Sequence, residues 1–223
     1  MDKLTQAFDF RHACKKFDNT KKISDDDIKY ILEAGRQSPS SFGMEPWHFV
    51  VVDSHKIKVE LRNVCYNQEQ VTSCSHFVIV LYRKANNFTL QSDYLRQTIA
   101  RTLPDPNNQT DIDIACQGFI NFCEQGLADG LTINHWSEMQ DYIASANMMT
   151  AAAFCGIDSC AIGGFDHDKV IKILEKYIPQ FGGDSFGIGL CLAFGYRINE
   201  PTAHIRWPLS DLTTYLSDNS ETN

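Results

Sequence analysis

Several stretches of the chain place apolar residues on one face of a helix. After Ser24, Ile28, Ile31 and Leu32 form such a stripe, which the Ser38-Pro39 stop signal ends. The stretch 136–155 is nearly apolar over its second half, which is typical of a central helix. The predicted helices cover residues 3–10, the segment that Ser24 opens, 56–66, 112–127, 136–155 and 166–176.

Three apolar runs predict strands, and the second, rich in β-branched residues, is typical of a buried strand. The polar stretch 84–110 predicts no regular element, and the chain from Asn199 onward is predicted to be mostly extended, with a frayed polar end. Few short strands among longer helices indicate an α+β or α/β fold, in one domain covering residues 1–223. The predicted strands are His48–Val52, Phe77–Tyr82 and Phe186–Phe194.

Composition and charge exclude several classes of protein. The 223 residues are 43% hydrophobic and 22% charged, which is ordinary for a globular protein. With 20 Lys plus Arg against 28 Asp plus Glu, the net charge is −8, so we expect no nucleic-acid partner. No run approaches the roughly 18 apolar residues of a membrane span, and residues 1–12 lack an apolar signal core. We therefore expect a cytoplasmic protein without a membrane partner.

The cysteines and histidines give no sign of a disulfide framework or a metal site. No C-x-x-C pair occurs, and the seven histidines are scattered without ligand spacing, so no metal is expected. Reduced, mostly buried thiols are predicted. The eight cysteines are Cys14, Cys65, Cys74, Cys116, Cys123, Cys155, Cys160 and Cys191.

The segment R-H-A-C-K-K-F carries two cations at a fixed spacing. Arg11 and Lys15 are four residues apart, so they lie on one side of either a helix or a strand. Two such cations suit a phosphate, which arginine binds with its planar fork and lysine as a point charge. The alternative is a solvated basic face, which this segment taken alone favours.

Two segments have the character of ligand-binding loops. Residues 38–49 offer hydroxyls and free backbone N–H groups to the polar edge of a heterocycle; the alternative is a turn with Trp47 in the core. Residues 156–166 contain Gly163-Gly164, which lets the backbone approach a flat ligand. The alternative there is a tight turn before a helix capped by Asp166.

The C-terminal part adds the motifs G-Y-R and H-I-R-W-P, whose simpler interpretation is a surface tail anchored by Trp207. In order along the chain, R-H-x-x-K-x-F, P-S-S-x-x-x-x-P-W-x-F, G-I-D-S-C-x-I-x-G-F-D and this tail resemble the nitroreductase family of FMN-dependent NAD(P)H oxidoreductases. The resemblance runs from Arg11 to Pro208, with a poor match at 84–130. It is closest to the oxygen-insensitive branch of bacterial nitroreductases and flavin reductases.

The resemblance implies an α+β nitroreductase-like fold: a central, mostly antiparallel sheet flanked by helices, in an intertwined homodimer with FMN at the interface. It implies that Arg11, Lys15 and Arg206 hold the phosphate and ribityl chain, and that the 39–41 loop comes from the partner chain. The implied cofactor contacts are Arg11, His12, Ala13, Lys15, Pro39, Ser40, Ser41, Gly43, Asn67, Gln70, Gln140, Ile162, Gly163, Gly164, His204 and Arg206. The same resemblance implies that Asn67 matches an asparagine near the pyrimidine edge and that the diglycine would lie beside flavin N5.

The sequence departs from the family pattern at five of these positions. Ala13 replaces a serine and Gly43 an asparagine, while Gly163 stands for a glutamate and His204 for a basic residue. Gln70 replaces a lysine near the flavin carbonyl, so we expect a lowered reduction potential because anionic reduced flavin is stabilised less. These changes leave the expected FMN site in place and bear on its substrate and potential.

The implied reaction takes hydride from NAD(P)H to the flavin and then reduces a small planar acceptor, a nitroaromatic, quinone or flavin, in ping-pong order. No catalytic side chain is expected, because flavin N5 carries the hydride. Phe42, Phe119 and Phe122 are candidate substrate contacts, although simple core packing also explains the last two. Two other functions stay open: a non-enzymatic flavin-binding sensor, and a thiol enzyme using Cys160 or Cys14, whose pKa nearby cations would lower.

Overall fold

Four antiparallel strands form one sheet at the centre of the chain, in the order β1-β2-β4-β3. The computed structural model describes residues 2–216. The central pair β2 and β4 is the apolar part of the sheet, and β3 and β1 form its two edges. The strands are β1 (Trp47–Val52), β2 (His76–Arg83), β3 (Asp158–Ile162) and β4 (Phe186–Gly195).

Helices cover both faces of this sheet, which makes the fold α+β as expected. Within residues 2–216, none of the helices is long and apolar enough to cross a membrane. They are α1 (Lys3–Phe10), α2 (Asp25–Arg36), α3 (His55–Val64), α4 (Gln70–Ser73), α5 (Asp93–Ala100), α6 (Gln109–Gln125), α7 (Ile133–Phe154), α8 (His167–Tyr177) and α9 (Leu209–Leu212).

Successive side chains of β2 point to opposite faces of the sheet, because the strand is pleated. Phe77, Ile79 and Leu81 pack with Leu61 of α3 and Leu174 of α8 in one apolar core. The run is apolar at every position because helices cover both faces, so the prediction of a buried strand is confirmed.

The second core lies between the other face of the sheet, α2 and α7. Val78 and Val80 pack there with Leu192 of β4, Ile31 of α2 and Met148 of α7. The long helix α7 thus runs across the sheet, as its apolar second half predicts.

A third, largely aromatic cluster lies away from the sheet. Phe88, Phe119 of α6 and Trp136 of α7 pack with Leu95 of α5 and Met44. It orders the polar stretch 84–110, for which the sequence predicted no element. Helix α5 forms there because Ser92 caps it and its apolar face has this cluster to bury against.

Helix boundaries follow their capping residues, with some corrections to the predicted limits. Ser24 accepts from the N–H of Asp27, Asp166 caps α8, and Gly156 takes φ +71° after α7, as predicted. Ser54 precedes α3 without a side-chain cap bond, and α3 ends at Val64, two residues early.

Three further predictions change at the element level. Helix α7 begins at Ile133 because Thr132 and His135 form a capping box. The short helix α9 interrupts the tail, whereas the predicted frayed end at residues 217–223 lies outside the described part. Strand β3 was not predicted; it pairs residues 158–162 with β4.

Candidate functional site

The Arg11–Lys15 segment lies along β3 in an extended conformation. Helix α1 ends at Phe10, and the N–H of Cys14 donates to the carbonyl of Ser159 at 3.0 Å. Ala13 forms an isolated parallel bridge with the same serine. The segment therefore extends the sheet edge and carries its cations on an extended chain, not on a helix.

A buried ion pair anchors the start of this segment. Asp158 accepts from Arg197, at 2.7 Å from Nε and 2.8 Å from the backbone N–H. The same carboxylate lies 3.6 Å from Nδ1 of His12, and the Arg197 guanidinium stacks 4.1 Å over the ring of Phe10. The side chain of Arg11 makes no hydrogen bond or ion pair with residues 2–216, so its charge is available to a ligand.

Lys15 and Gln70 meet at one sulfur atom. The Nζ of Lys15 lies 3.7 Å from Sγ of Cys160, and Nε2 of Gln70 lies 3.9 Å from it. Burial raises the pKa of the Cys160 thiol, and Lys15 only partly opposes this rise. Two strong donors face a weak acceptor here, which leaves both with capacity for an anionic or carbonyl ligand.

The expectation that nearby cations lower the pKa of Cys14 is wrong. Its thiol is buried in the core beneath the segment, and burial raises its pKa to about 11. A neutral thiol is a poor nucleophile, so neither Cys14 nor Cys160 has the character of a catalytic cysteine. All eight cysteines are free thiols, and six of them are buried.

The turn between α3 and α4 completes this first group of residues. Tyr66 and Asn67 have φ values of 52° and 57°, in the left-handed region. Gln68 follows them and donates to the carbonyl of Gly164 at 2.8 Å, while accepting from Gln70 at 2.9 Å. Gln68 is not among the residues predicted from the sequence; its local signal is the polar run Y-N-Q-E-Q after a helix.

The diglycine after β3 presents bare backbone to open space. A Cβ added at Gly163 would meet nothing within 4 Å, whereas one at Gly164 would lie 3.4 Å from the ring of Tyr66. Ile162 turns its side chain into the core, so only its backbone can contact a ligand. Two cations without an acidic partner among the described residues, at one end, and side-chain-free backbone at the other fit a flat molecule that carries a phosphate.

A second group of predicted residues lies on the loop before β1. Phe42, Gly43 and Glu45 all have positive φ, of 58°, 63° and 48°. Oε1 of Gln140 accepts from the N–H of Ser41 at 3.0 Å, and Oγ of Ser40 accepts from the N–H of Glu45 at 2.8 Å. These bonds hold a strained loop against α7.

Phe42 connects this loop to α6. Its ring centroid lies 5.5 Å from that of Phe119, edge-on, and 4.7 Å from that of Phe122. Phe119 is 2% exposed and belongs to the aromatic core, as the core-packing alternative held, whereas Phe42 is 55% exposed. Of the three candidate substrate contacts, Phe42 is the most accessible.

The chain does not bring its two groups of site residues into contact. Within residues 2–216, no hydrogen bond, ion pair or ring contact joins the 39–43 loop and Gln140 to the residues around Lys15 and Gly163. His204 and Arg206 are exposed on the tail. Trp207 is 75% exposed, so the expectation that it anchors the tail is wrong for this chain by itself.

Residues 2–216 contain no cluster of three or more His, Cys, Asp or Glu that could hold a metal ion.

Comparison with known proteins gives a consistent family match. YfkO of Bacillus subtilis, a candidate NAD(P)H nitroreductase by name, is 38% identical over 221 residues, which cover 96% of this chain and 97% of YfkO. A similarly named Staphylococcus epidermidis protein is 44% identical over 208 residues, covering 89% of each chain.

Solved structures share the fold. The FMN complex of a candidate nitroreductase from Exiguobacterium sibiricum matches with a TM-score of 0.75 at 22% identity, covering 97% of this chain and 98% of that chain. A nitroreductase-like protein from Streptococcus mutans matches with a TM-score of 0.78 at 18% identity, covering 96% and 98%. The family model described as the nitroreductase family matches residues 9–196, and the chain therefore belongs to the nitroreductase family.

Proposed function

We propose that this chain is an FMN-dependent NAD(P)H oxidoreductase that reduces nitroaromatics, quinones or flavins by two-electron transfer in ping-pong order. One observation carries the proposal: Lys15, Gln70 and the Gly163-Gly164 backbone, which are distant in sequence, are connected through Cys160 and Gln68 beside open space. FMN, when bound, supplies the hydride chemistry, and the protein supplies position and electrostatics.

Different residues of the site would bind different parts of FMN. Arg11 and Lys15 would hold the phosphate and ribityl chain, since neither has an acidic partner among the described residues. Asn67 would bind the pyrimidine edge, and the Gly163-Gly164 backbone would face the flavin ring. Arg206 would add a further cation from the tail; its Nη1 now donates only to the carbonyl of Ile205.

A homodimer would complete the site. The 39–43 loop is separate from the Lys15 group within one chain, so a partner copy would have to supply it. Large apolar side chains are exposed where such a partner would bind, on α7 and on the tail. They are Met139, Tyr142, Ile143, Ile205, Trp207, Leu209, Leu212, Tyr215 and Leu216.

Phe42 and Phe122 would form the apolar wall of the acceptor site. Phe42 follows the two serines of the flavin-facing loop, and its exposed ring leans on Phe122. A planar acceptor stacks well on such a surface. The physiological acceptor would then be selected by α6 and by this loop.

The test is a visible spectrum of the purified protein before and after anaerobic addition of NADH or NADPH. We expect bound flavin that either nucleotide bleaches, and parallel initial-rate lines in the steady state. Flavin that stays oxidised would favour the sensor function. A colourless protein that takes up no added FMN would refute the proposal.

A further inference from the structure

Gln68 lies in the strained turn that follows α3. The two residues before it, Tyr66 and Asn67, adopt left-handed conformations that are uncommon for residues other than glycine. The turn is held locally, because the N–H of Asn67 donates to the carbonyl of Arg62 and the Nε of Arg62 donates back to the carbonyl of Asn67. This geometry directs the Gln68 side chain toward the diglycine after β3.

The amide of Gln68 is almost fully used. Its Nε2 donates to the carbonyl of Gly164 at 2.8 Å and to that of Cys65 at 3.0 Å, and its Oε1 accepts from Gln70 at 2.9 Å. The bond to Gly164 spans 96 residues of sequence. Gln68 thus connects the α3–α4 turn, the start of α4 and the end of β3.

The backbone at Gly164 needs such a restraint. Two consecutive glycines have the widest conformational freedom of any dipeptide, and neither has a side chain to fix it. Among residues 2–216, Gln68 provides the side-chain hydrogen bond to the Gly164 carbonyl, while Tyr66 packs at 3.4 Å from where a Cβ would be. Without this bond the diglycine would sample several orientations.

We propose that Gln68 is a positioning residue of the flavin site: it fixes the Gly163-Gly164 backbone in the orientation that receives the ring, and it aligns Gln70 beside Lys15. The proposal rests on the proposed function, because it takes FMN to be the ligand of this backbone. Gln68 touches neither hydride donor nor acceptor; it acts through the diglycine and Gln70.

Two variants separate positioning from mere stabilisation of the turn. Gln68→Leu removes every bond of the amide. Gln68→Glu keeps the acceptor for Gln70 but, when ionised, places a carboxylate against the carbonyls of Gly164 and Cys65; when protonated, it can donate to Gly164 again. Gln117→Leu is the matched control, since the Gln117 side chain is exposed on α6 and, among the described residues, donates to Asn121 alone.

The measurement is the dissociation constant of FMN, by fluorescence quenching, between pH 5.5 and 8, as the ratio of variant to wild type. The ratio cancels the titration of the FMN phosphate. We expect Gln68→Leu to weaken binding at least tenfold at every pH. Gln68→Glu should match it at pH 8 and recover toward wild type as the pH falls, while Gln117→Leu stays at wild type.

Hydrogen exchange of the FMN-free protein provides a readout that needs no flavin. We expect faster deuterium uptake in residues 161–166 of Gln68→Leu, with unchanged uptake in β2. If Gln68→Leu fails to fold, the recovery of FMN affinity by Gln68→Glu as the pH falls still tests the inference.

Three outcomes would overturn the inference: wild-type FMN affinity in both variants, equal affinity of the two variants across the pH range, or unchanged exchange at 161–166. A wild-type protein that binds no FMN would instead refute the proposed function. The exchange measurement would still show whether Gln68 restrains the diglycine.

Discussion

Asp141 is a fully buried carboxyl group on the sheet side of α7. It lies so close to Gly189 of β4 that a Cβ there would come within 2.5 Å of its Oδ2. Neither carboxyl oxygen has a hydrogen-bond partner among the described residues. Burial, with a smaller contribution from Glu138, raises the pKa of Asp141 well above its usual value, and the phenol of Tyr82 is a further titratable neighbour.

The raised pKa of Asp141 predicts that the free energy of unfolding falls as the pH rises. The folded state holds the Asp141 proton more tightly than the unfolded chain, so ionisation costs folding free energy from about pH 4 upward. Asp141→Asn cannot ionise, so its free energy of unfolding should differ little from that of the wild type at pH 4 and should increasingly exceed it as the pH rises to 8. Urea unfolding at one protein concentration measures this; Asp129→Asn is the control, since Asp129 is exposed and its side chain has no hydrogen bond or ion pair among the described residues.

Gln70 predicts the redox behaviour of the proposed flavoprotein. A cation restored at this position would stabilise anionic reduced flavin, so Gln70→Lys should raise the midpoint potential by about 30 mV for each tenfold gain in relative affinity. A dye-coupled reductive titration measures the change. An unchanged or lower potential would show that position 70 does not face the flavin carbonyl; Gln117→Lys controls for added charge.

Candidate residues in local motifs could be recognised from the sequence, and their role in a flavin site stays a prediction; residues that depend on a distant partner could not be recognised. Arg11, Lys15 and Gly163 stand in recognisable patterns, and the structure leaves them exposed or short of partners. The role of Gln68 depends on its hydrogen bond to Gly164, and the pKa of Cys14 depends on the core that buries its thiol. Burial also raises the pKa of Cys14, opposite to the expected shift, because the effect of desolvation outweighs that of the nearby cations.

Two helical glycines show how packing outweighs helix propensity. A Cβ at Gly35 of α2 would lie 2.9 Å from Met148 of α7 and 3.0 Å from Phe49 of β1, whereas one at Gly118 of α6 would meet nothing within 4 Å. Gly35 therefore allows α2 and α7 to approach closely. Gly118 has no such packing role.

The same substitution should have opposite effects at the two positions. Gly35→Ala overpacks the α2–α7 contact and should destabilise the protein by about 1–3 kcal/mol. Gly118→Ala should stabilise it by up to about 1 kcal/mol, from propensity alone. Thermal unfolding of both variants checks the pair, and a gain at Gly35 would mean that Met148 moves aside at little cost.

Elements with a strong internal pattern were predictable, and those that depend on tertiary partners were not. Strands β2 and β4 are continuous apolar runs, and α7 has a long apolar face. Strand β3 reads D-S-C-A-I, with one β-branched residue, and exists because β4 offers it a pairing edge. Helix α5 likewise depends on the aromatic cluster beneath it.

The described residues expose large apolar side chains, which the proposed homodimer would bury. Trp207 is 75% exposed and Ile205 is 91% exposed on the C-terminal tail. Since the two groups of site residues also lie apart, the assembly of the site could not be predicted from local sequence. The resemblance alone implied that it needs two chains.

We expect light scattering to give twice the 25.3 kDa chain mass for the wild-type protein. Trp207→Ser should weaken the dimer at least tenfold, since burial of a large aromatic ring contributes about 1.5–3 kcal/mol. FMN binding should weaken in parallel. Trp207→Phe, which keeps an aromatic ring, is the control; a monomeric wild type that still binds FMN would contradict the two-chain site.

The aromatic cluster of α5 and α6 has a consequence for how the protein can change. Its side chains pack mainly on one another and on Trp136, apart from the two cores that hold the sheet. Substitutions on the outer face of α6 would therefore leave the sheet and the Lys15 group undisturbed. Random libraries restricted to the exposed positions of α6 should retain folding and the flavin content of the proposed flavoprotein while their acceptor preferences diverge, which makes this face the natural place for new substrate ranges to evolve.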